Sequence, residues 1–286
     1  MSRSGESRYS TERGSLKYTG MNFFARWRLL KSARGAESVY VTERFGVRSL
    51  HIGSDTIQSS MRLARPNDLE LAYTRSMMAF LLFIPLPRRV LMVGLGGGSL
   101  AKFVYHRLPG AVTEVLEVNP QVVSIARRLF ELPAADARLT VRVCDAAQFI
   151  AAAAGGFDAI LVDGYDGDSQ VPELATQEFY ANCRRRLEPG GVLVVNLWGS
   201  DFRFDDNVAR IESAFPSATL CLPADKPGNV IVFAFRDPPA ALRWDELARK
   251  ARELEPSYGL EFSRFVDSLR RMNRCDPERL YMGESA

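Results

Sequence analysis

Four carboxylates occur within eleven residues of one another in the segment LVDGYDGDSQVPELATQEFY: Asp163, Asp166, Asp168 and Glu173. Acidic side chains this close repel one another unless a cationic group lies among them. A carboxylate there also accepts the proton that an ammonium nucleophile must lose before it attacks carbon. The segment therefore predicts a site for a cation, with Asp163 and Asp166 as catalytic candidates. The alternative is a solvated loop in which Asp163 is a cap and Asp168 forms a turn.

The stretch VLMVGLGGGSL is typical of an apolar strand that ends in a glycine loop. Its glycines are Gly94, Gly96, Gly97 and Gly98. Glycines let the backbone turn tightly and approach a ligand closely. Glu117 ends the next apolar stretch, where a carboxylate accepts hydrogen bonds from ribose hydroxyls. Together these features predict a cofactor that contains a nucleoside. The alternative is a tight structural turn with an unrelated surface glutamate.

Asp145 ends a third apolar stretch, LTVRVCD, on the same predicted edge of the sheet as the glycine loop. A carboxylate at this position can accept a hydrogen bond from the exocyclic amine of adenine. The alternative is a helix N-cap, since the predicted helix begins at the next residue, Ala146. We also predict cofactor contacts from Ala146, Asp163 and Gln58.

These candidates need a frame that brings several strand ends together. After Pro87, apolar strands alternate with helices, which predicts a parallel sheet covered on both faces. The predicted strands are RVLMVGL, AVTEVLEV, LTVRVCD, FDAILVDG and GVLVVNLW. The predicted helices cover residues 99–107, 120–132, 146–154, 172–187 and 206–215.

Two further strands, ATLCLP and NVIVFAF, follow in direct succession. The linker ADKPG leaves no room for a crossover helix, so the two strands are expected to be antiparallel. A parallel sheet with this ending is typical of the class I S-adenosylmethionine (AdoMet)-dependent methyltransferase-like Rossmann fold. We therefore predict an α/β protein of that class. The hairpin, and the lack of an obvious proton donor near the loop, disfavour an NAD-dependent oxidoreductase.

The chain divides into four predicted segments. Residues 1–20 are polar and charged without periodicity, which predicts a disordered tail. Residues 21–66 are predicted as a small β unit, because VYVTERFGVRSLHIG and TIQSSMRL alternate as antiparallel strands do. Residues 67–237 are the Rossmann-like catalytic domain, and residues 238–286 are a C-terminal extension of two helices.

Composition narrows the classes of protein. No apolar run reaches membrane-spanning length and the N-terminus has no apolar core, so we expect a cytoplasmic protein without a membrane partner. The four cysteines form no CxxC pair and the chain has 2 histidines, so we expect no metal and no disulfide framework. The net charge of +3 is mild, and the basic run ARWRLLKSAR is more typical of a solvated face than of a nucleic-acid site.

From roughly Val39 to Phe235 the chain resembles the polyamine aminopropyltransferases, the spermidine/spermine synthase family. VLMVGLGGGSL, EVLEVNPQVV, VCDAAQFI and the acidic segment are each similar to a family signature. The resemblance implies that Glu117 holds the ribose and Asp145 the adenine. It implies that Asp166 is the base at the attacking amine, with Asp163 and Tyr73 on matching positions. It also implies decarboxylated AdoMet or AdoMet as co-substrate, a small-molecule amine as acceptor, and a homodimer.

The amine half of the motif set departs from the family. Gly97 occupies the position of the family's loop aspartate, which contacts the co-substrate's aminopropyl ammonium. The family's Tyr-Gln-Glu-Met, followed by a histidine, corresponds to Tyr73-Thr74-Arg75-Ser76 and Ala79. Arg75 is then expected either to place a positive charge at the polyamine site or to bind a carboxylate of AdoMet or of an acidic substrate.

Three functions fit these observations. The first is a spermidine synthase-like transferase that moves an aminopropyl group to a polyamine and releases methylthioadenosine. The alternatives are an AdoMet-dependent methyltransferase on the same scaffold and a non-catalytic nucleoside-binding homologue. The paired aspartates favour the first, whereas Gly97, Thr74 and Ala79 weigh against it.

Overall fold

The structure is a computed structural model that describes residues 38–152, 155–166, 169–224, 228–238 and 241–285. The predicted disordered tail, the basic run and Asp168 lie outside these residues. Residues 21–37, which are predicted to belong to the small β unit, also lie outside the described residues.

The N-terminal unit is a three-stranded antiparallel sheet, as the alternating pattern predicts. Its strands are β1 (Val39–Arg44), β2 (Val47–Ile52) and β3 (Ile57–Arg62), in that order across the sheet. Leu50 and Met61 are buried in the main core, so this sheet packs on the rest of the chain through one face.

A helical segment and a seven-stranded sheet follow. The segment consists of α1 (Ala72–Met77) and a 3₁₀ helix (Met78–Leu82). The next elements are β4 (Arg89–Val93), α2 (Ser99–Arg107), β5 (Val112–Glu117), α3 (Pro120–Leu129), β6 (Leu139–Val143), α4 (Ala146–Ala152), β7 (Phe157–Val162), β8 (Tyr165–Asp166) and β9 (Ser169–Gln170). A 3₁₀ helix (Pro172–Ala175) then precedes α5 (Gln177–Arg186), β10 (Leu187–Trp198), α6 (Phe204–Ala214), β11 (Thr219–Pro223) and β12 (Asn229–Phe235).

The order of the central sheet is β11-β12-β10-β7-β4-β5-β6. β4, β5, β6, β7 and β10 are parallel, whereas β12 is antiparallel to both β10 and β11. Val90 and Met92 enter the core on one face of the sheet, and Leu91 and Val93 enter the core on the other. The predicted fold class is therefore confirmed, including the antiparallel ending.

Two predicted helices are shorter than expected, each for a local reason. α3 ends at Leu129, and Glu131 has a left-handed φ of 56°, which cannot continue a helix. The predicted helix over 172–187 is split, because the Thr176 hydroxyl accepts the amide of Phe179 at 3.0 Å and caps α5 as a new helix.

The C-terminal extension is not purely helical, so that part of the prediction is wrong. It contains β13 (Ala241–Arg243), α7 (Trp244–Tyr258), α8 (Phe262–Leu269), β14 (Asn273–Cys275) and β15 (Arg279–Ser285). The three strands form their own antiparallel sheet in the order β13-β15-β14. β13 and β14 have 3 residues each, which is too short to show strand alternation in a sequence. The predicted domain boundaries stay a prediction.

Lys102 lies in α2, the helix that follows the glycine loop, and connects this helix to the N-terminal sheet. Its ammonium is buried and donates to the carbonyls of Pro66 and Phe130, both at 2.7 Å, and lies 3.1 Å from the sulfur of Met61. Burial lowers the pKa of Lys102 to about 8. This contact holds β3 against α2, and β3 carries residues that border the candidate site.

Candidate functional site

Two cavities of about 290 Å³ each open at the carboxyl edge of the central sheet. We call the first the loop cavity, because the glycine loop borders it together with Glu117, Asp145, Ala146, Asp163 and Glu173. We call the second the tyrosine cavity; its lining includes Tyr73, Asp163, Tyr165, Asn196, Trp198 and Asn229. A small pocket of about 20 Å³ lies between them, with Ser59, Tyr73, Thr74, Ser99 and Asp163 in its wall.

The glycine loop must be glycine where it meets the end of β7. Gly94 has a φ of 93°, and a Cβ there would lie 2.2 Å from the carbonyl oxygen of Asp163. The Asp163 amide donates to the carbonyl of Val93 at 2.9 Å, so the two strand ends are held in register. The close approach puts the loop and the Asp163 carboxylate at one junction.

Glu117 is a buried carboxylate that braces the loop from β5. One oxygen accepts the amide of Leu95 at 3.0 Å, and the other accepts the amide of Asn119 at 2.8 Å. Burial raises the pKa of Glu117, and the amides of Asn119 and Leu95 oppose that shift. The side chain borders the loop cavity, as the prediction of a ribose contact requires.

Asp145 combines the two roles that the sequence left open. It is exposed and borders the loop cavity, and it also accepts the amide of Gln148 at 3.0 Å, which caps α4. Ala146 borders the same cavity, and Gln58 borders both cavities. Most of the predicted cofactor residues thus lie around one cavity, but Gly97 and Gly98 are not among its lining residues. The contacts of all of them with a ligand stay predictions.

Asp163 lies at the junction of all three spaces. Its carboxylate accepts the side-chain amide of Asn196 at 2.8 Å and the hydroxyl of Tyr73 at 3.0 Å. The carbonyl oxygen of the Asn196 side chain accepts the side-chain amide of Asn229 at 2.9 Å. Burial raises the pKa of Asp163, and the bonds from Asn196 and Tyr73 oppose that shift.

Tyr73 stays protonated beside this carboxylate. Burial, and then the charge of Asp163, raise its pKa well above the usual value. Its hydroxyl therefore serves as a donor, at 3.0 Å to Asp163 and at 3.2 Å to the carbonyl of Gln58. This bond links α1, β3 and the end of β7 at one point.

Sequence reasoning missed several side chains of the tyrosine cavity. Asn196 is the one polar residue in the apolar stretch VLVVNLW of β10. A polar residue inside a buried strand could have indicated a site residue. Tyr165 and Trp198 have ring centroids 5.5 Å apart, and the Tyr165 hydroxyl accepts the amide of Trp198 at 2.6 Å. Their pairing depends on the loop that follows β7, which no local pattern predicts.

The rest of the acidic segment is divided by the fold. Glu173 borders the loop cavity. The backbone of Asp166 lies in β8, which pairs with β9 just beyond Asp163. The catalytic role of Asp166 stays a prediction.

The departures from the family pattern have local causes. A Cβ on Gly97 would lie 2.7 Å from Cδ1 of Phe130 and 2.8 Å from the hydroxyl of Ser59. These two side chains fill the space that a loop aspartate would need. Thr74 and Ala79 are buried.

Arg75 makes contacts within the protein, outside the candidate site. Its guanidinium donates to the carboxylate of Glu261 at 2.9 Å and to the carbonyl of Glu70 at 2.9 Å. It is absent from the lining of the three spaces. The expectation of a positive charge at the polyamine site is therefore not supported.

The lining of the three spaces is acidic. Among the described residues, the lining contains the carboxylates of Glu117, Asp145, Asp163 and Glu173 and no Lys, Arg or His. The chain as a whole has a net charge of +3, so the acidic lining is a property of the site and not of the composition. Such a site attracts cations and repels anions.

Comparison with known proteins identifies the family. A model described as the spermine/spermidine synthase domain matches residues 70–218. The polyamine aminopropyltransferase of Chromobacterium violaceum is 42% identical over 249 residues, which cover 87% of this chain and 95% of that protein. The chain belongs to the spermine/spermidine synthase family. It is a transferase.

Two further comparisons place this family member among neighbouring folds. A probable spermidine synthase from Corynebacterium glutamicum superimposes on this chain with a TM-score of 0.66 at 22% identity. The superposition covers 82% of this chain and 91% of the synthase. That likeness concerns the fold. The eEF1A lysine and N-terminal methyltransferase of Homo sapiens is 30% identical over 187 residues, but these make up only 26% of that protein. It covers 61% of this chain, whereas the aminopropyltransferase of Chromobacterium violaceum covers 87% at 42% identity, so the methyltransferase alternative is not favoured.

Within the described part of the chain, every helix is too short or too polar to cross a membrane. The same residues contain no group of three or more His, Cys, Asp or Glu side chains arranged to hold a metal ion.

The packing around Gly97 gives a direct test of the site geometry. Gly97→Ala should lower the free energy of unfolding by about 1–3 kcal/mol, because the added methyl group overlaps Phe130 and Ser59. Gly110→Ala is the matched control, since a Cβ at Gly110 meets nothing within 4 Å. Urea denaturation measures both. Equal midpoints for the two variants would show that the space beside Gly97 is not filled as described.

Proposed function

We propose that this transferase moves an aminopropyl group from decarboxylated AdoMet to a polyamine acceptor and releases methylthioadenosine. The observation that carries the proposal is that the described lining residues include four carboxylates and no cationic side chain. Decarboxylated AdoMet has a sulfonium and an ammonium, and both are attracted to such a lining. AdoMet adds a carboxylate, which would face like charges and find no basic partner among the described lining residues.

The loop cavity is the proposed nucleoside half of the site. Glu117 accepts from the ribose hydroxyls, and Asp145 accepts from the adenine amine. The backbone of Gly94, Gly96 and Gly98 allows the close approach, with Gly97, Ala146 and Gln58 beside it. The family relationship supports the assignment, and so does the position of Gln58, Gly94, Gly96, Glu117, Asp145 and Ala146 around one cavity.

The small pocket is the proposed place for the ammonium of the aminopropyl arm. Because Gly97 supplies no carboxylate, the acceptors in this pocket are Asp163 and three hydroxyls, those of Ser59, Ser99 and Thr74. Ser59 and Ser99 lie with their oxygens 3.2 Å apart. A volume of about 20 Å³ is enough for one group of the size of a water molecule. An ammonium group has three donors for such acceptors.

The tyrosine cavity is the proposed acceptor site. Asp163 attracts the acceptor amine, and the Tyr73 hydroxyl and the Asn196 amide keep that carboxylate in place. Asp166 accepts the proton that the amine loses. When bound, the co-substrate supplies an electrophilic carbon next to sulfur: the amine forms a bond to that carbon, the C–S bond breaks, and its electron pair leaves on a neutral thioether. The residues contribute alignment and charge.

A product assay tests this function. With decarboxylated AdoMet and putrescine, mass spectrometry should detect methylthioadenosine and one aminopropylated amine in equal amounts, and AdoMet should give neither. Asp163→Asn and Asp166→Asn should each reduce turnover by about 100-fold or more, because they remove a charge or a proton acceptor at the amine. Asp206→Asn, on the exposed start of α6, is the control with normal turnover. A methylated product from AdoMet would contradict the proposal.

The role of Glu117 gives a second test through pH. Glu117→Gln should weaken binding of methylthioadenosine by about 1–3 kcal/mol, because an ionised acceptor is lost. In the unaltered protein the affinity should fall as the pH is lowered through the pKa of Glu117, which burial raises. The fall therefore begins at a higher pH than it would for an exposed glutamate.

Calorimetry at a series of pH values measures this effect. Glu178→Gln on the exposed start of α5 should keep both the affinity and its pH dependence. If Glu117→Gln binds methylthioadenosine as the unaltered protein does, Glu117 is not part of the nucleoside site. The homodimer and the cytoplasmic location stay predictions.

A further inference from the structure

One wall of the tyrosine cavity is a short segment with little stability of its own. Leu71, Ala72 and Tyr73 border the cavity, and the last two open α1. α1 has 6 residues, and its N-cap, Leu71, makes no side-chain capping bond. Helices this short are not stable without tertiary contacts. The position of this wall must therefore be set from outside the helix.

Arg75 supplies contacts on both sides of the segment. Its guanidinium donates to the carbonyls of Glu70 and Leu69, at 2.9 Å and 3.3 Å. It thereby ties the residues just before α1 to the last turn of the same helix. The side chain of Glu70 accepts from Arg62 of β3 at 3.1 Å and 2.5 Å, so the network continues into the N-terminal sheet.

Glu261 holds the other side of the Arg75 guanidinium. Its carboxylate lies 2.9 Å from Nε of Arg75, and both side chains are about one-third exposed or less, at 34% and 28%. Glu261 directly precedes α8, and its carbonyl accepts the amide of Phe265 at 3.0 Å. Phe262 and Leu269 of α8 are buried, so the helix that follows Glu261 is held in place by the core.

We propose that Arg75 and Glu261 are positioning residues for the acceptor amine, through which the C-terminal extension sets the wall of the tyrosine cavity. The pair acts on Tyr73, whose hydroxyl bonds to Asp163, and on Leu71 and Ala72. Glu261 also neutralises the positive charge of Arg75, which would otherwise repel an ammonium acceptor. This inference rests on the proposed function for the identity of the acceptor.

The variants Arg75→Met and Glu261→Gln test the proposal in the full-length protein. Each should raise the KM for putrescine by about fivefold or more, with a smaller change in kcat and no change in the Kd of methylthioadenosine. The double variant should be no worse than the more affected single variant, because the contact between Arg75 and Glu261 is lost in each case. Arg249→Met and Glu253→Gln, an exposed pair on α7, are the controls and should leave all three constants unchanged.

Hydrogen exchange provides a readout that needs no substrate. The amides of residues 71–77 should exchange faster in Arg75→Met and Glu261→Gln than in the two controls. If exchange is faster in Arg75→Met and Glu261→Gln but the KM for putrescine is unchanged, the positioning role is wrong. It is also wrong if both the KM and the exchange rate of these variants equal those of the controls. If the unaltered protein releases no methylthioadenosine, the proposed function fails. Exchange equal to the controls would then overturn this inference separately.

Discussion

The half-buried carboxylate of Asp163 is the group on which the rest of the site depends. It ends β7 beside the glycine loop, and its own carbonyl leaves no space for a side chain on Gly94. Tyr73 and Asn196 donate to it from α1 and β10, so three separate elements meet at one negative charge. A buried charge is costly unless donors surround it, and here these two donors offset part of that cost. The same charge borders the loop cavity, the small pocket and the tyrosine cavity.

The distribution of charge explains how a mildly basic chain binds a cation. Arg75 pairs with Glu261 and lies outside the lining of the cavities. The described lining contains four carboxylates and no cationic side chain. The N-terminal sheet contributes Gln58 and Ser59, and we propose that the C-terminal extension holds the wall that carries Tyr73. The site therefore draws on all three parts of the chain.

Much of this arrangement is predictable from local pattern, and some of it is not. The order of strands and helices, the antiparallel ending and the cofactor-side positions of Glu117 and Asp145 follow from periodicity and from the glycine loop. β13 and β14 of the C-terminal sheet were missed because 3 residues show no period, and the 7-residue strand β15 was not predicted either. The partner of Arg75 is 186 residues away in the chain, and the neighbours of Gly97 come from β3 and the end of α3. Such long-range contacts have no local signature. The sequence alone therefore could not show that Arg75 pairs with Glu261, or that Phe130 and Ser59 fill the space beside Gly97.

The most direct test of the central claim is a paired calorimetric titration with decarboxylated AdoMet and AdoMet. If the acidic lining selects the co-substrate, decarboxylated AdoMet should bind at least roughly tenfold more tightly, because the extra carboxylate of AdoMet meets like charges. The preference should shrink in Asp163→Asn, in which one of those charges is absent. Equal affinities, or a preference for AdoMet, would contradict the claim that charge at this site defines the reaction.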